Sequence, residues 1–392
     1  AMFIASWEQH LPEYLSGFTS DGCCTEGLGY WGYGFGHYCL LAQMIARATH
    51  GVIDFMDIPF VRDSIAFFGR RMEIASGVYA AFADCPVAVK PRAELMAYLS
   101  RRYGLGWRAW EERVYGLHRT QITHGIGSRL LFMFPDRATT VRPARIEPEA
   151  LPPRDWFDQS CVLIARPGDS AARLAAAMKG GHNGEIHNHN DLGSYIVVAD
   201  EHRVLCDPGA EIYTKRTFGP RRYDSVVLNS YGHPVPVIAG QLQKEGSGHA
   251  ARVLRTAFTD DVDELVIDLR AGYDVPSLER LVRTFTYDRR GAGRFTVRDT
   301  AAFSSPESFE TALITLGTWR QIAPDTLLVE ADGAGVTVTI DTNGASFDVK
   351  AERLNENLPP DVEPTRIAIL LRHPVTNADI TFTITPHDIT GC

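Results

Sequence analysis

The chain has 392 residues, more than one compact core of ordinary size accommodates, so two or three domains are expected. Apolar residues make up 45% and charged residues 22%, an ordinary globular balance, and no apolar run is long enough to span a bilayer as a helix. Lys and Arg number 39 against 48 Asp and Glu, a net charge of -9, which argues against nucleic acid as the default partner.

Residues from about Met2 to Leu130 read as helical. FIASWEQHLPEYLSGF follows Ala1-Met2 without a charged leader, so the chain is expected to begin inside a longer domain. IPFVRDSIAFFGRRMEIASGVYAAF and RAELMAYLSRRYG carry apolar residues at three- and four-residue spacing. Between the first helices lies GFTSDGCCTEGLGYWGYGFGHY, read as a glycine-rich, aromatic connection whose Tyr30, Trp31, Tyr33, Glu26 and His37 could line a sugar-binding groove. A packed aromatic turn is the alternative for that stretch. Seven cysteines, an odd count without CxxC spacing, do not make a disulfide framework.

PDRATTVRPARIEPEALPPRDW is dense in proline and charge and reads as a linker. Beyond it the texture changes to short, β-branched, turn-bounded runs about ten residues apart, among them SCVLIARP, SYIVVAD, ELVIDLR, RFTVRDT and DITFTIT. That spacing predicts an antiparallel sandwich or barrel.

The first polar cluster of that half is GGHNGEIHNHNDLGSY. As an extended segment it would place His187, His189 and Asp191 on one face and Asn188 and Asn190 on the other. Two imidazoles so placed can share a metal, or one can bind metal while its neighbour does chemistry. SYIVVADEHRVLCDPG reads as a hairpin that would return Asp207 to the start of the HNHND segment, and His233 ends a further apolar run. Two histidines and one carboxylate form a zinc-compatible set; a polar loop with its histidines bonded to backbone is the bland alternative. KRTFGPRRYDS adds Lys215, Arg216, Arg221 and Arg222, a local basic patch suited to carboxylates or sulfates, or otherwise a solvated loop. GGHNG lacks the lysine and the strand-to-helix setting of a phosphate loop, and no GxSxG occurs.

FTSDGCCTEGLGYWGYG, HNHNDLGSYIV, VLCDPG and SYGHPVPVIAG, in that order, resemble the heparinase II/III family of polysaccharide lyases. The resemblance implies an α+β multidomain chain. The C-terminal part of an (α/α) toroid would occupy residues 1–135, a linker 136–157 and an antiparallel β-sandwich 158–392. It further implies cleavage of a uronic-acid polysaccharide by β-elimination. Carried over, the catalytic tyrosine falls on Tyr30 and the catalytic histidine on His187, and a structural zinc falls on His189, Asp207 and His233. Glu26, Trp31, Tyr33, Arg221 and Arg222 are then candidate substrate contacts. The implied partner is an acidic polysaccharide, with no nucleic acid, no membrane span and the option of a homodimer; the implied location is periplasmic or secreted. The family supplies its carboxylate-neutralising Asn or His roughly fifty residues before the tyrosine, and fewer residues than that precede Tyr30, so a fragment of a longer lyase is expected. Rival readings are a metal-dependent cupin-like enzyme, a glycoside hydrolase using Glu26 or Asp21, and a non-catalytic carbohydrate-binding protein. The cupin reading fails to supply a Glu after His189 or to account for the helical half.

Overall fold

The computed structural model describes residues 2–111 and 151–389. The chain divides into two compact units, Ala1–Met72 with Lys90–Leu151, and Glu73–Val89 with Pro152–Cys392.

In the helical unit, helices run over Met2–Leu15, Leu28–Ala48 and Ala93–Tyr103, with short helices at Pro59–Asp63 and Phe68–Arg71. The glycine-rich aromatic stretch is not a connection: the helix begins at Leu28 and runs through it. Its buried positions, Leu28, Trp31, Phe35, Tyr38, Cys39, Ala42 and Ile45, recur every three or four residues and define one apolar face. Glycines inside a helix cost roughly 0.5–1 kcal/mol each relative to alanine. Burial of Trp31, Phe35 and Tyr38, at roughly 1.5–3 kcal/mol per large side chain, offsets that cost. The Ala93–Tyr103 helix stops at Gly104, whose left-handed conformation lets its N–H reach Ser100 O.

IPFVRDSIAFFGRRMEIASGVYAAF is helical only as far as Arg71. It then turns into a two-stranded ribbon, Glu73–Ala75 with Val78–Tyr79. This ribbon and the residues to Val89 group with the sandwich residues, where Arg166 donates to Glu73 O and Arg203 to Tyr79 O. Most of the expected linker lies outside the described residues, but its end is structured: Arg154–Phe157 is a strand.

The sandwich unit holds a five-stranded, an eight-stranded and a four-stranded sheet. The five-stranded sheet runs Arg154–Phe157, Val162–Ala165, Leu174–Lys179, Tyr195–Ala199 and His202–Leu205, each strand antiparallel to the next. Its central strands are buried along their whole length, which is why VLIA and YIVVA read as unbroken apolar runs. The eight-stranded sheet alternates instead: Val262–Asp268 buries every second residue and turns one face to the core. Leu163, Ala176, Tyr195 and Val197 of one sheet share a core with Leu265, Leu281, Phe285 and Phe295 of the other, and Phe309, Leu313 and Ile369 of the four-stranded sheet close it. An ion pair lies within this core. Arg283 forms a bidentate pair with Asp299 at 2.6–2.7 Å, and its remaining nitrogen donates to Gly193 O and Pro234 O. The sheet interior thereby grips the two segments that carry His189 and His233.

Candidate active site and metal centre

The expected hairpin forms, with Tyr195–Ala199 antiparallel to His202–Leu205. Because Val197 faces Leu205, the chain leaves the second strand beside the start of the first, and Asp207 arrives next to Ser194. The Ser194 hydroxyl donates to Asp207 Oδ2 at 2.7 Å, the Gly209 N–H to Oδ1 at 3.1 Å, and His233 Nδ1 lies 2.8 Å from Oδ2. Burial alone would raise the Asp207 carboxyl, but the charge and hydrogen bond of His233, with His189 and Ser194, hold it well below the usual carboxylate range. Burial likewise opposes charge on His233, yet Asp207 pulls its pKa up; on His189 burial prevails and lowers it.

His189, Asp207 and His233 are fully buried, and one candidate ligand atom from each lies within 4.8 Å of the others. Among the described residues, two imidazole nitrogens here, Nδ1 of His189 and Nε2 of His233, have no hydrogen-bond partner. Buried polar atoms without partners are costly, and two lone-pair donors beside a carboxylate are what a bound cation would satisfy. A tetrahedral ion with bonds of about 2.0–2.1 Å asks for donors about 3.4 Å apart, within reach of this set by small side-chain movements. The residues therefore fit a metal ion.

HNHND is a turn rather than a strand, with His187 in the left-handed region at φ 57°. Strand alternation does not operate, and Asp191 departs from the histidines to form a buried ion pair with Lys179. The two histidines nevertheless converge, on a residue outside the motif. Asp84 Oδ2 lies 2.8 Å from His187 Nδ1, and Asp84 Oδ1 lies 2.9 Å from His189 Nε2. Arg222 donates to the same Oδ1 at 2.8 Å and to Asn188 O, the carbonyl between the histidines, at 2.8 Å. Burial works against the Asp84 charge, but the hydrogen bonds from His187 and His189, then Arg222, keep the carboxyl far below its ordinary range. An ionised carboxylate only accepts, so both imidazoles present N–H groups to it.

Asp84 reaches this position through a tight turn. Ala83 is left-handed, the Cys85 N–H returns to Ala83 O, and a β-bridge joins Pro86 to Gly209. Position 209 admits only glycine, since a Cβ there would lie 2.3 Å from Cys85 O. Facing His187 are two exposed rings, Tyr213 stacked at 6.4 Å between centroids and Phe218 edge-on at 6.3 Å, themselves 4.9 Å apart.

The basic loop is largely spent on internal partners. Arg216 pairs with Glu211 and Glu356, and Arg222 with Asp84 and backbone carbonyls, so Arg222 supports the site from behind. Arg221, its side chain 77% exposed, pairs with Asp224 at 2.6 Å, a solvent-exposed ion pair of little energetic worth.

No family model matches the chain, and no curated protein matches it in sequence. Solved structures do. A heparinase III gene product superposes with a TM-score of 0.69 at 14% identity over 98% of this chain and 55% of that one. A heparan sulfate lyase from Pedobacter heparinus gives 0.66 at 14% identity over 97% and 55%, and a further heparinase III gives 0.63 at 14% over 96% and 56%. This chain has the heparinase III fold. It spans about half the length of the structures it matches.

The remaining expected residues of this heparinase III fold lie in the helical unit. Tyr30 is half-buried in the first turn of the Leu28–Ala48 helix, and Glu26 is half-buried just before it. Tyr33 is 57% exposed and rests on His37. Trp31 is a core residue: it has no accessible surface, packs on Phe35 and Phe68, and donates its indole N–H to Ile65 O at 3.0 Å. A ring so enclosed has no face to offer a sugar, so Trp31 is withdrawn as a substrate contact. Sequence reasoning missed Asp84, Tyr213 and Phe218. Asp84 lies in a stretch that reads as helix, while in KRTFGPRRYDS the cations dominate the reading and Phe218, with Tyr213 just before the stretch, carries no signal of its own.

Proposed function

We propose that the chain belongs to a polysaccharide lyase that cleaves a uronic-acid-containing polysaccharide by β-elimination. The observation that carries the reading is His187. It is anchored through Nδ1 on Asp84, flanked by the exposed rings of Tyr213 and Phe218, and two residues from a buried two-histidine, one-carboxylate set, all within a heparinase III fold.

The reaction asks for four things. A base removes the proton at C5, the C4–O4 bond breaks as a C4=C5 double bond forms, an acid returns a proton to the leaving O4, and a cation or donor quiets the uronate carboxylate. With its Nδ1–H held by Asp84, His187 carries its lone pair on Nε2, the nitrogen suited to take the C5 proton. Tyr30 serves as proton donor to O4, or as base and donor when both groups lie on one face of the sugar. Tyr213 and Phe218 offer apolar faces to a pyranose ring. In the helical unit, the exposed Tyr33 ring and the half-buried Glu26 carboxylate are candidate sugar contacts, the one by stacking and the other by accepting hydrogen bonds from hydroxyls. Arg221 is an exposed cation of the loop, as is Lys215, and is the candidate contact for uronate or sulfate. Zinc, held by His189, Asp207 and His233, would supply structural rigidity; tying three chain segments together, these residues keep the His187 turn in place. A secreted or periplasmic setting accords with a polymeric substrate.

The test is incubation with a panel of heparan, chondroitin, hyaluronan, alginate and bacterial exopolysaccharides, read by the ultraviolet absorbance of the unsaturated uronate. Product should appear with at least one polymer, and Tyr30→Phe should lower its rate by about 100-fold or more while leaving the fold intact. Chain cleavage without a double bond would replace the lyase by a hydrolase. Saturable binding without cleavage would leave a carbohydrate-binding protein.

A further inference from the structure

We propose that Asp84 is the positioning residue of this site: a single carboxylate that sets the tautomer of His187 with one oxygen and the orientation of the metal-ligand His189 with the other. The inference rests on the lyase reading for the role of His187 but on geometry for everything else.

Three observations carry it. The carboxylate is shared, 2.8 Å from His187 Nδ1 and 2.9 Å from His189 Nε2, so neither ring can turn without releasing a hydrogen bond to the same group. The carboxylate cannot follow a moving ring, because Oδ1 is also held by Arg222, which clamps the Asn188 carbonyl between the two histidines. Its backbone is fixed as well, by the left-handed turn at Ala83 and by the bridge from Pro86 to Gly209, in the segment that supplies Asp207. Asp84 therefore couples the metal set to the reacting ring. A carboxylate bonded to the outer nitrogen of a metal-binding histidine fixes that ring and leaves the inner nitrogen for the ion. His189 matches this arrangement, with Nε2 on Asp84 and Nδ1 without a partner among the described residues. The same carboxylate, by taking the Nδ1–H of His187, turns the lone pair of that ring to Nε2.

Asp84→Asn separates this role from a merely structural one. Arg222 requires an acceptor at the Oδ1 position, so the amide oxygen settles there and keeps its bond to His189, while the amide nitrogen faces His187. Nδ1 of His187 must then accept, and its proton moves to Nε2, blocking the base nitrogen. Long-range 1H–15N spectra of 15N-histidine-labelled protein read this directly, with the His187 signals assigned by their loss in His187→Gln.

In the parent protein His187 should show the Nδ1–H tautomer and His189 the Nε2–H tautomer. In Asp84→Asn, His187 should switch to Nε2–H and zinc affinity should fall less than about 10-fold. Turnover on the cleaved polymer should fall by about 100-fold or more at nearly constant KM. An Nε2–H tautomer of His187 in the parent protein overturns the proposal, and this measurement needs no variant to fold. So does an unchanged tautomer in a folded Asp84→Asn, or a loss of activity that merely tracks lost zinc. If the tautomers behave as stated but no polymer is cleaved, Asp84 keeps its positioning role and the lyase reading falls.

Discussion

Burial pushes the Glu185 carboxyl up to about 7, against the opposing pull of Lys179 and with Asp191 adding to the rise. Glu185 stands two residues before His187, in the turn that delivers both histidines. A carboxyl whose folded pKa lies above its ordinary 4.5 binds its proton more tightly in the folded chain than in the unfolded one. Its contribution to stability is complete below pH 4.5 and is lost as pH rises through about 7. Glu185→Gln keeps the shape and removes the titration. Relative to the parent, the variant should gain about 1–2 kcal/mol between pH 5 and pH 8, discounted for a side chain that is only partly buried. Denaturant unfolding at the two pH values checks this, and a difference that does not change with pH would show that Glu185 ionises freely.

The Leu28–Ala48 helix shows how packing overrides local preference. GLGYWGYGFGHY has the composition of a turn, and its glycines work against a helix, yet Trp31, Phe35 and Tyr38 share one buried face. Gly36 has no positive φ, and a Cβ added there would meet Leu95 at 3.8 Å, an ordinary contact. Gly36→Ala should therefore stabilise the helical unit by about 0.5–1 kcal/mol through the reduced entropy of the unfolded chain. A rise in melting temperature measures this, and a fall would mean that the position needs glycine for a reason other than backbone freedom. The turn at Gly209 is the opposite case: there the close approach of Cys85 O leaves no room for a side chain.

At the scale of the whole sandwich unit, the His189, Asp207 and His233 set brings together segments far apart in the chain. His189 follows the Leu174–Lys179 strand, Asp207 follows His202–Leu205, and His233 lies beyond the basic loop. Arg283 holds the segments on either side of the set, Gly193 O and Pro234 O, from within the core. An ion bound there is linked to folding of the unit, since the unfolded chain does not assemble the three donors. Chelation should lower the melting temperature of the zinc-loaded protein by about 5–10 °C, the effect of losing a ligand at roughly a thousand times its dissociation constant. Calorimetry with and without chelator reads it; an unchanged transition would mean that these residues hold no ion.

Local pattern in the sequence was enough to separate a helical part from a β-rich one, to predict the hairpin that brings Asp207 back to Ser194, and to single out His189, Asp207 and His233 as a set. Each of those rests on nearest-neighbour physics, helical or strand periodicity and the chemistry of residue types, which a linear chain displays. Tertiary structure decided the rest. It made HNHND a turn, buried Trp31, turned Arg222 inward, and carried the Glu73–Val89 segment to the sandwich, where Asp84 meets two histidines more than a hundred positions away. No local signal marks such a carboxylate, because its role comes from the partners that folding brings to it. The sequence specified the donors, and the packing of distant segments determined which way each of them points.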